Sequence, residues 1–212
     1  MNTKLRNHIL KSRLLPAVTL EHAEKAVSVA KALQKGGLNL MEITFRTEGA
    51  ARAIDAIRQS VPSMVIGAGT LLTKEQVDEA REAGAQFGLA PGYQPELVAH
   101  AESIGLPFIP GVSTPSEIEC AMTQGCWIQK LFPANLLGGP DLIRSLTGPY
   151  KHTNLRLIPM GGVGLETLTD YSGLSLIGAL GGSWLTPTSA IDRGEFDKIT
   201  TLVRESIEKI RV

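Results

Sequence analysis

Short apolar runs alternate along the chain with longer stretches whose apolar residues recur every three or four positions. The first kind predicts strands buried on both faces, the second amphipathic helices. Residues 14–20 read as a strand. Residues 21–35 read as a helix with Ala23, Ala26, Val27, Ala30 and Leu33 at helical spacing, stopped by Gly36 and Gly37. The alternation continues with a strand over 38–44, a helix over 48–60, a strand over 63–69, a helix over 74–83 and a strand over 86–90. It runs on through a helix over 95–103, a strand over 106–110, a helix over 115–123, a strand over 126–131 and a helix over 141–146. The last units are a strand over 155–160, a weak helix near 165–170, a strand over 175–180 and a helix over 195–210. A helix over 2–11 precedes the first strand, placed to cap the floor of the sheet.

Eight strands, each followed by a helical segment, imply parallel pairing with right-handed crossovers. That number in unbroken succession predicts an α/β fold of the (β/α)8 TIM-barrel type, at the compact end of the size range for such barrels. A doubly wound open sheet is the second choice. No Pro-, Gly- or Ser-rich linker divides the chain, so 1–212 reads as a single domain, with 1–12 as its capping segment.

Composition narrows the function. The 212 residues carry 21 Lys+Arg against 21 Asp+Glu, and a balanced chain lacks the excess cation that phosphate backbones select. Aromatics are 5%, too few for base-stacking platforms, so nucleic acid is excluded as the main partner. The polar N-terminus has no apolar run behind it, and the longest uncharged stretch, 171–191, holds four Gly, four Ser and Pro187, so no signal peptide, membrane span or membrane partner is read. Two cysteines, Cys120 and Cys126, form no CxxC; they read as small core residues of a protein in a reducing, cytoplasmic compartment. His8, His22, His100 and His152 are scattered without ligand spacing. They read as surface residues, and no metal is expected.

Lys130 is the only charged side chain between Glu119 and Asp141, and it ends an apolar strand. Alternation puts Cys126, Ile128, Lys130 and Phe132 on one face. Catalytic groups of a barrel sit at the C-terminal ends of its strands. Removal from water favours a neutral lysine amine, the nucleophile that Schiff-base chemistry with a carbonyl substrate requires. The alternative is a strand-end lysine that snorkels or pairs with a carboxylate. Glu42 likewise interrupts an apolar strand and shares its face with Leu40, Thr44 and Arg46. In a dry interior such a carboxylate becomes a general acid and base near neutral pH; the alternative is a structural ion pair with Arg46.

Two late strands end in glycine pairs, Gly161-Gly162 and Gly181-Gly182, the second followed by Ser183. Phosphate commonly binds barrels after the last two strands, through backbone N–H groups that glycine lets approach the anion; one pair alone would read as an ordinary tight turn, but two in adjacent late strands favour phosphate binding. Gly67-Ala68-Gly69-Thr70 opens like a dinucleotide fingerprint, but Leu72 stands where the third glycine belongs, and Thr70 instead offers a hydroxyl at a strand end.

Taken in order, MEITFRTE at 41–48, IGAGTLLT at 66–73, APGY at 90–93, IPGVSTPSE at 109–117, KLFPAN at 130–135, PMGGV at 159–163 and GGSWL at 181–185 resemble the 2-keto-3-deoxy-6-phosphogluconate aldolases, also called 4-hydroxy-2-oxoglutarate aldolases. The resemblance runs from about Leu15 to the C-terminus. It implies a class I aldolase, usually a homotrimer, with neither metal nor organic cofactor, that cleaves the phosphorylated keto-deoxy sugar acid to pyruvate and glyceraldehyde 3-phosphate. It implies Lys130 as the Schiff-base lysine and Glu42 as the acid/base acting through water. Arg46 and Thr70 would hold the pyruvyl carboxylate, Phe132 and Pro91 would pack beside it, and Gly161, Gly162, Gly182 and Ser183 would form the phosphate turns. Three positions depart from the family pattern: Met160 replaces a threonine, Asn135 an acid and Ala90 a hydroxylated residue. They leave unphosphorylated 4-hydroxy-2-oxoglutarate, a galactonate epimer, and oxaloacetate decarboxylation as related activities. A scaffold that binds phospho-sugar acids without catalysis is a different class of function, and other phosphate-binding barrels such as epimerases and synthases, which use different acid/base sets, are a third.

Overall fold

The computed structural model describes residues 1–210. Helix α1 (Thr3–Ser12) leads into strand β1 (Leu14–Val18), and Asn2 caps that helix by accepting a hydrogen bond from the Leu5 N–H at 2.9 Å. Then follow α2 (Ala26–Gly36), β2 (Leu40–Thr44), α3 (Ala50–Ser60), β3 (Val65–Gly69), α4 (Lys74–Glu82), β4 (Phe87–Leu89) and α5 (Pro95–Ser103). The second half holds β5 (Phe108–Ile109), β6 (Gly111–Val112), α6 (Pro115–Thr123), β7 (Ile128–Leu131), α7 (Gly139–Tyr150) and β8 (Arg156–Pro159). Last come α8 (Leu168–Ser172), β9 (Leu180–Gly182), α9 (Thr188–Asp192) and α10 (Phe196–Ile210). Among the described residues no helix is long and apolar enough to cross a membrane.

Every strand pair is parallel. One sheet runs β5-β4-β3-β2-β1-β9 and a second runs β6-β7-β8. The molecule is therefore an α/β protein with a curled parallel sheet, wrapped by the helices that connect its strands. Strands β1 and β2 are buried at every position, because one face meets the interior and the other meets helices. Into this apolar interior the sequence sends few charges. Glu42 and Lys130 are the only carboxylate and ammonium groups among the buried described residues.

Two strands differ from expectation. The strand predicted over 106–110 is divided into β5 and β6 at Pro110. That proline has no N–H to continue the ladder, but its carbonyl accepts the Lys130 N–H at 2.9 Å, passing the pairing from β4 on one side to β7 on the other. The strand predicted over 175–180 begins only at Leu180. Ahead of it the chain turns, with Ile177 making a single bridge to Leu157; the Leu157 N–H donates to the Leu176 carbonyl at 2.7 Å and the Gly178 N–H to the Leu157 carbonyl at 2.8 Å. Leu180 then donates to the Arg13 carbonyl at 2.8 Å as the chain joins β1. Apolar Leu176 and Leu180 are buried as the pattern required, but the backbone between them bridges two strands instead of forming one.

The helices follow their local signals. Helices α5 and α6 keep their expected bounds because each opens with a proline in its first turn. At α6 the Thr114 hydroxyl accepts from the Glu117 N–H at 3.3 Å while Glu117 Oε2 accepts from the Ser113 and Thr114 N–H groups at 2.8 and 2.9 Å. Helix α2 starts at Ala26, after a 3-10 turn over Ala23–Lys25, and ends at Gly37 with φ 101°. Helix α7 extends past its expected 141–146, since Pro140 is tolerated in the first turn and Pro149 near the last. Cys120 is exposed, not a core residue as its apolar neighbours suggested, whereas Cys126 is buried. His8 and His100 are half-buried rather than free on the surface, and His100 Nε2 lies 2.7 Å from Asp78.

Replacing Thr114 with alanine removes the reciprocal cap of α6 and is expected to cost about 1 kcal/mol. Thermal or urea unfolding measures it, and an unchanged midpoint would show that the cap carries no stability.

Candidate active site

Alternation along β7 sorts its side chains. Gln129 points outward, donating from Nε2 to the Ile118 carbonyl on α6 at 3.1 Å and to the Cys126 carbonyl at 2.8 Å. Lys130 therefore points inward, in register with Gly111 on β6 and Ile158 on β8, and is 7% exposed. Its Nζ lies 5.0 Å from the centroid of the Phe132 ring, within range for cation–π attraction.

Glu42 sits in β2 opposite Ala17 and Gly67 and is 1% exposed. Its carboxyl group leans over Gly69, the last residue of β3. A Cβ at Gly69 would overlap Glu42 Oε2 and lie 2.8 Å from Cδ, so only glycine leaves room. Oε2 has no hydrogen-bond partner among the described residues. Burial pushes the Glu42 carboxyl above its ordinary range, and the charges of Lys130 and Arg46 oppose that rise without cancelling it. The alternative of a Glu42–Arg46 ion pair is not what the structure contains: Glu42 forms none among the described residues, and Arg46 is exposed just beyond β2.

The remaining expected residues gather around these two. Thr70 follows β3 directly and is half-buried with φ 60°. A β-branched residue in the left-handed region costs on the order of 1–3 kcal/mol and persists where the surroundings over-determine it. Pro91, half-buried after β4, is packed against Gly111 so closely that a Cβ there would overlap its carbonyl oxygen. Phe132, half-buried after β7, donates its N–H to the Val112 carbonyl at 3.1 Å.

Beyond β8, Gly161 and Gly162 take φ values of 88° and 83°, a left-handed pair that suits glycine. Their turn is tied to the loop after β7: Ala134 N–H donates to the Met160 carbonyl at 2.7 Å and Asn135 N–H to the Gly161 carbonyl at 3.0 Å. The Gly161 and Gly162 N–H groups have no acceptor among the described residues. Gly182 ends β9 with the Trp184 ring and the Val163 carbonyl beside it, so the two glycine turns adjoin; Ser183 is exposed at the start of the next turn. Met160 is buried between them, its side chain filling the space over Gly181. Among the described residues no group of three or more His, Cys, Asp or Glu side chains is placed to hold a metal ion.

Two contributors escaped the sequence reading. Gly69 is visible only as the space that the Glu42 carboxyl occupies. Thr19, just past β1, brings its hydroxyl within 3.0 Å of buried Thr44, the residue next above Glu42 on the same face. Within the strand expected over 14–20 nothing marked this contact.

Comparison with known proteins places the chain in one family. The family model for KDPG and KHG aldolase matches residues 5–202. The chain is 44% identical over 200 residues to 2-dehydro-3-deoxy-phosphogluconate aldolase of Treponema pallidum, covering 94% of each chain. It is 40% identical over 195 residues to the KHG/KDPG aldolase of Escherichia coli K12, covering 92% of this chain and 91% of that one. It is also similar to the crystal structure of KDPG aldolase from Legionella pneumophila, in which pyruvate is captured as a covalent carbinolamine intermediate. That similarity has a TM-score of 0.89, 31% identity, and coverage of 94% of this chain and 96% of the other.

A raised carboxyl pKa has a sign in stability. The folded protein holds a proton on Glu42 above pH 4.5, its ordinary value, where the unfolded chain has released it. Wild-type stability therefore falls as pH rises from there through the folded pKa, by up to about 1.4 kcal/mol per pH unit. Glu42→Gln lacks this loss, so its unfolding midpoint should gain on wild type as pH rises from 4 to 8. Parallel curves would show that Glu42 ionises in the folded protein as it does in water.

Proposed function

Because this chain belongs to the KDPG and KHG aldolase family, we propose that it is a class I aldolase, a carbon–carbon lyase that cleaves 2-keto-3-deoxy-6-phosphogluconate to pyruvate and glyceraldehyde 3-phosphate. The observation that carries the reading is the pairing, in one apolar interior, of the buried Lys130 amine with the buried, unpartnered Glu42 carboxyl.

Chemistry follows from that pair. The Lys130 amine adds to the substrate's C2 carbonyl to give a carbinolamine, which loses water to form a protonated imine. Glu42, through a water molecule, takes the proton from the C4 hydroxyl. The C3–C4 bond then breaks, its electron pair passes into the imine, and the aldehyde leaves behind an enamine. Glu42 returns the proton to enamine C3, and water hydrolyses the pyruvyl imine to free pyruvate and the lysine. A carboxyl held above its ordinary range suits both halves of this exchange, since it must accept and release a proton near neutral pH.

Arg46 and Thr70 bind the substrate carboxylate in this reading. A guanidinium fork matches a carboxylate in two hydrogen bonds, and the exposed Arg46 at the end of β2 is free to supply them. Phe132 and Pro91 flank the carbonyl end. The unpaired N–H groups of Gly161 and Gly162, with Gly182 and Ser183 alongside, take the phosphate. Exposed Asn135 packs its Cβ against Gly162 and buried Met160 stands between the turns, so both departures bear on the turns that take the phosphate. Cleavage of 4-hydroxy-2-oxoglutarate uses the same bond and the same imine, and the Escherichia coli relative is named for both substrates.

The strands are read here as a closed (β/α)8 barrel. In support, 108–112 pairs with β4 and then with β7, while 176–180 hydrogen-bonds first to β8 and then to the Arg13 carbonyl ahead of β1. The whole chain is read as a single domain, on a family match that spans 5–202; Arg211 and Val212 lie outside the described residues. A homotrimer rests on the family resemblance, and Leu136, 87% exposed on the loop after β7, is a side chain that such an interface would cover. The cytoplasm suits the phosphorylated substrate and the two free thiols.

Borohydride reduction in the presence of pyruvate should leave a pyruvyl adduct on the peptide carrying Lys130, and Lys130→Met should abolish both adduct and cleavage. A folded protein that gives no adduct, beside a working control aldolase, would favour the binding scaffold over the enzyme. With imine formation intact, Glu42→Gln is expected to slow solvent exchange of the pyruvate C3 protons by about 100-fold or more, followed by NMR; unchanged exchange would remove Glu42 from its role.

A further inference from the structure

The floor of the sheet, opposite the end that carries Lys130 and Glu42, holds a cavity of about 600 Å3 beneath α1. It opens beside the N-terminal ends of β3, β4 and β5, where Val65, Gln86 and Pro107 line it. Five basic side chains reach it from three helices: Lys4, His8 and Lys11 of α1, Arg58 of α3 and Arg81 of α4. No aspartate or glutamate lines it, although the chain as a whole carries equal numbers of acidic and basic residues.

Helix physics explains part of this placement. Lys4, His8 and Lys11 share one face of α1 at i, i+4 and i+7 spacing. Lys11, Arg58 and Arg81 each occupy the last turn of their helix, where a cation complements the carbonyl end. That preference accounts for each cation on its own helix. It does not account for three helices delivering them to one cavity with no carboxylate among them. Lys4, Lys11, Arg58 and Arg81 form no ion pair among the described residues, and Arg58 remains unpaired although it is half-buried. Lys4, Lys11 and Arg81 are exposed and Arg58 half-buried, with Arg81 Nε donating to the Ile104 carbonyl at 3.4 Å, so water screens their mutual repulsion at rest, and guanidinium forks match phosphate oxygens in pairs of hydrogen bonds.

We propose that this floor cavity is a second, non-catalytic site for a small molecule bearing two or more phosphate groups, held between α1 on one side and Arg58 and Arg81 on the other. The site is independent of the reading given to the catalytic mouth, whose residues it does not share.

Isothermal titration with inorganic pyrophosphate at low ionic strength tests it, on the full chain and on two variants, Arg58→Gln with Arg81→Gln and Lys4→Gln with Lys11→Gln. Circular dichroism checks that each variant is folded; should the arginine pair unfold, the α1 pair carries the test. The wild-type protein should show a class of pyrophosphate site that weakens at least tenfold in each folded variant. A mouth class of site that persists in the variants does not bear on the floor, but if every class of pyrophosphate site seen in the wild type is left unchanged in either folded variant, or if the wild type binds no pyrophosphate, the proposal is overturned.

Discussion

Glu42 carries its carboxyl group into the buried interior of the sheet, where one oxygen finds no hydrogen-bond partner among the described residues. An ionised carboxylate left alone in such a place would cost several kcal/mol or more, so burial raises the affinity of Glu42 for its proton. Much of the surrounding structure makes sense as the set of conditions for that placement. Gly69 leaves the volume that the carboxyl fills. Lys130 and Arg46 supply opposite charge at a remove, enough to moderate the proton affinity but without closing an ion pair that would neutralise it. The sheet, buried on both faces along β1 and β2, shields the group from bulk solvent. A tight pair would have been a structural cross-link; a loose one is compatible with the proton-carrying role proposed for Glu42.

Most of the scaffold was legible in the chain. Parallel strands covered on both faces leave continuous apolar runs, and helix ends marked by Asn2, Pro95, Thr114 and Gly37 stop where their caps dictate. The failures have one cause in common. At Pro110 and around Ile177 the side-chain pattern is that of a strand, yet the backbone changes partners midway. Hydrophobic periodicity reports which way a side chain points and carries no information about which neighbour receives its N–H. Helix α7 was longer than its pattern at both ends: Pro140 sits in the first turn, where no N–H is needed, and Pro149 lies one residue before the helix ends at Tyr150.

In the site, Lys130 and Glu42 stood out because a lone charge inside an apolar run is expensive and therefore rare. Gly69 could not stand out, since its contribution is the absence of atoms next to a side chain 27 positions away in sequence. The Thr19–Thr44 hydroxyl contact likewise joins two strands and has no signature within either. At the far end of the site, Met160 marks the limit of what alternation can say. It faces inward as its position requires, and only the packing of its thioether over Gly181 shows that it closes space between the two glycine turns and does not line them.

The change of partners at Pro110 has a consequence of another kind. Everything before it contributes Glu42, Arg46, Gly69 and Thr70; everything after it contributes Lys130 and both glycine turns. The proposed nucleophile and the proposed proton carrier thus belong to opposite sides of a point where the backbone ladder is already interrupted. Cutting the chain there would yield two pieces, each with half of the chemistry and an open sheet edge complementary to the other, so that recovered turnover would serve as a reporter of their reunion.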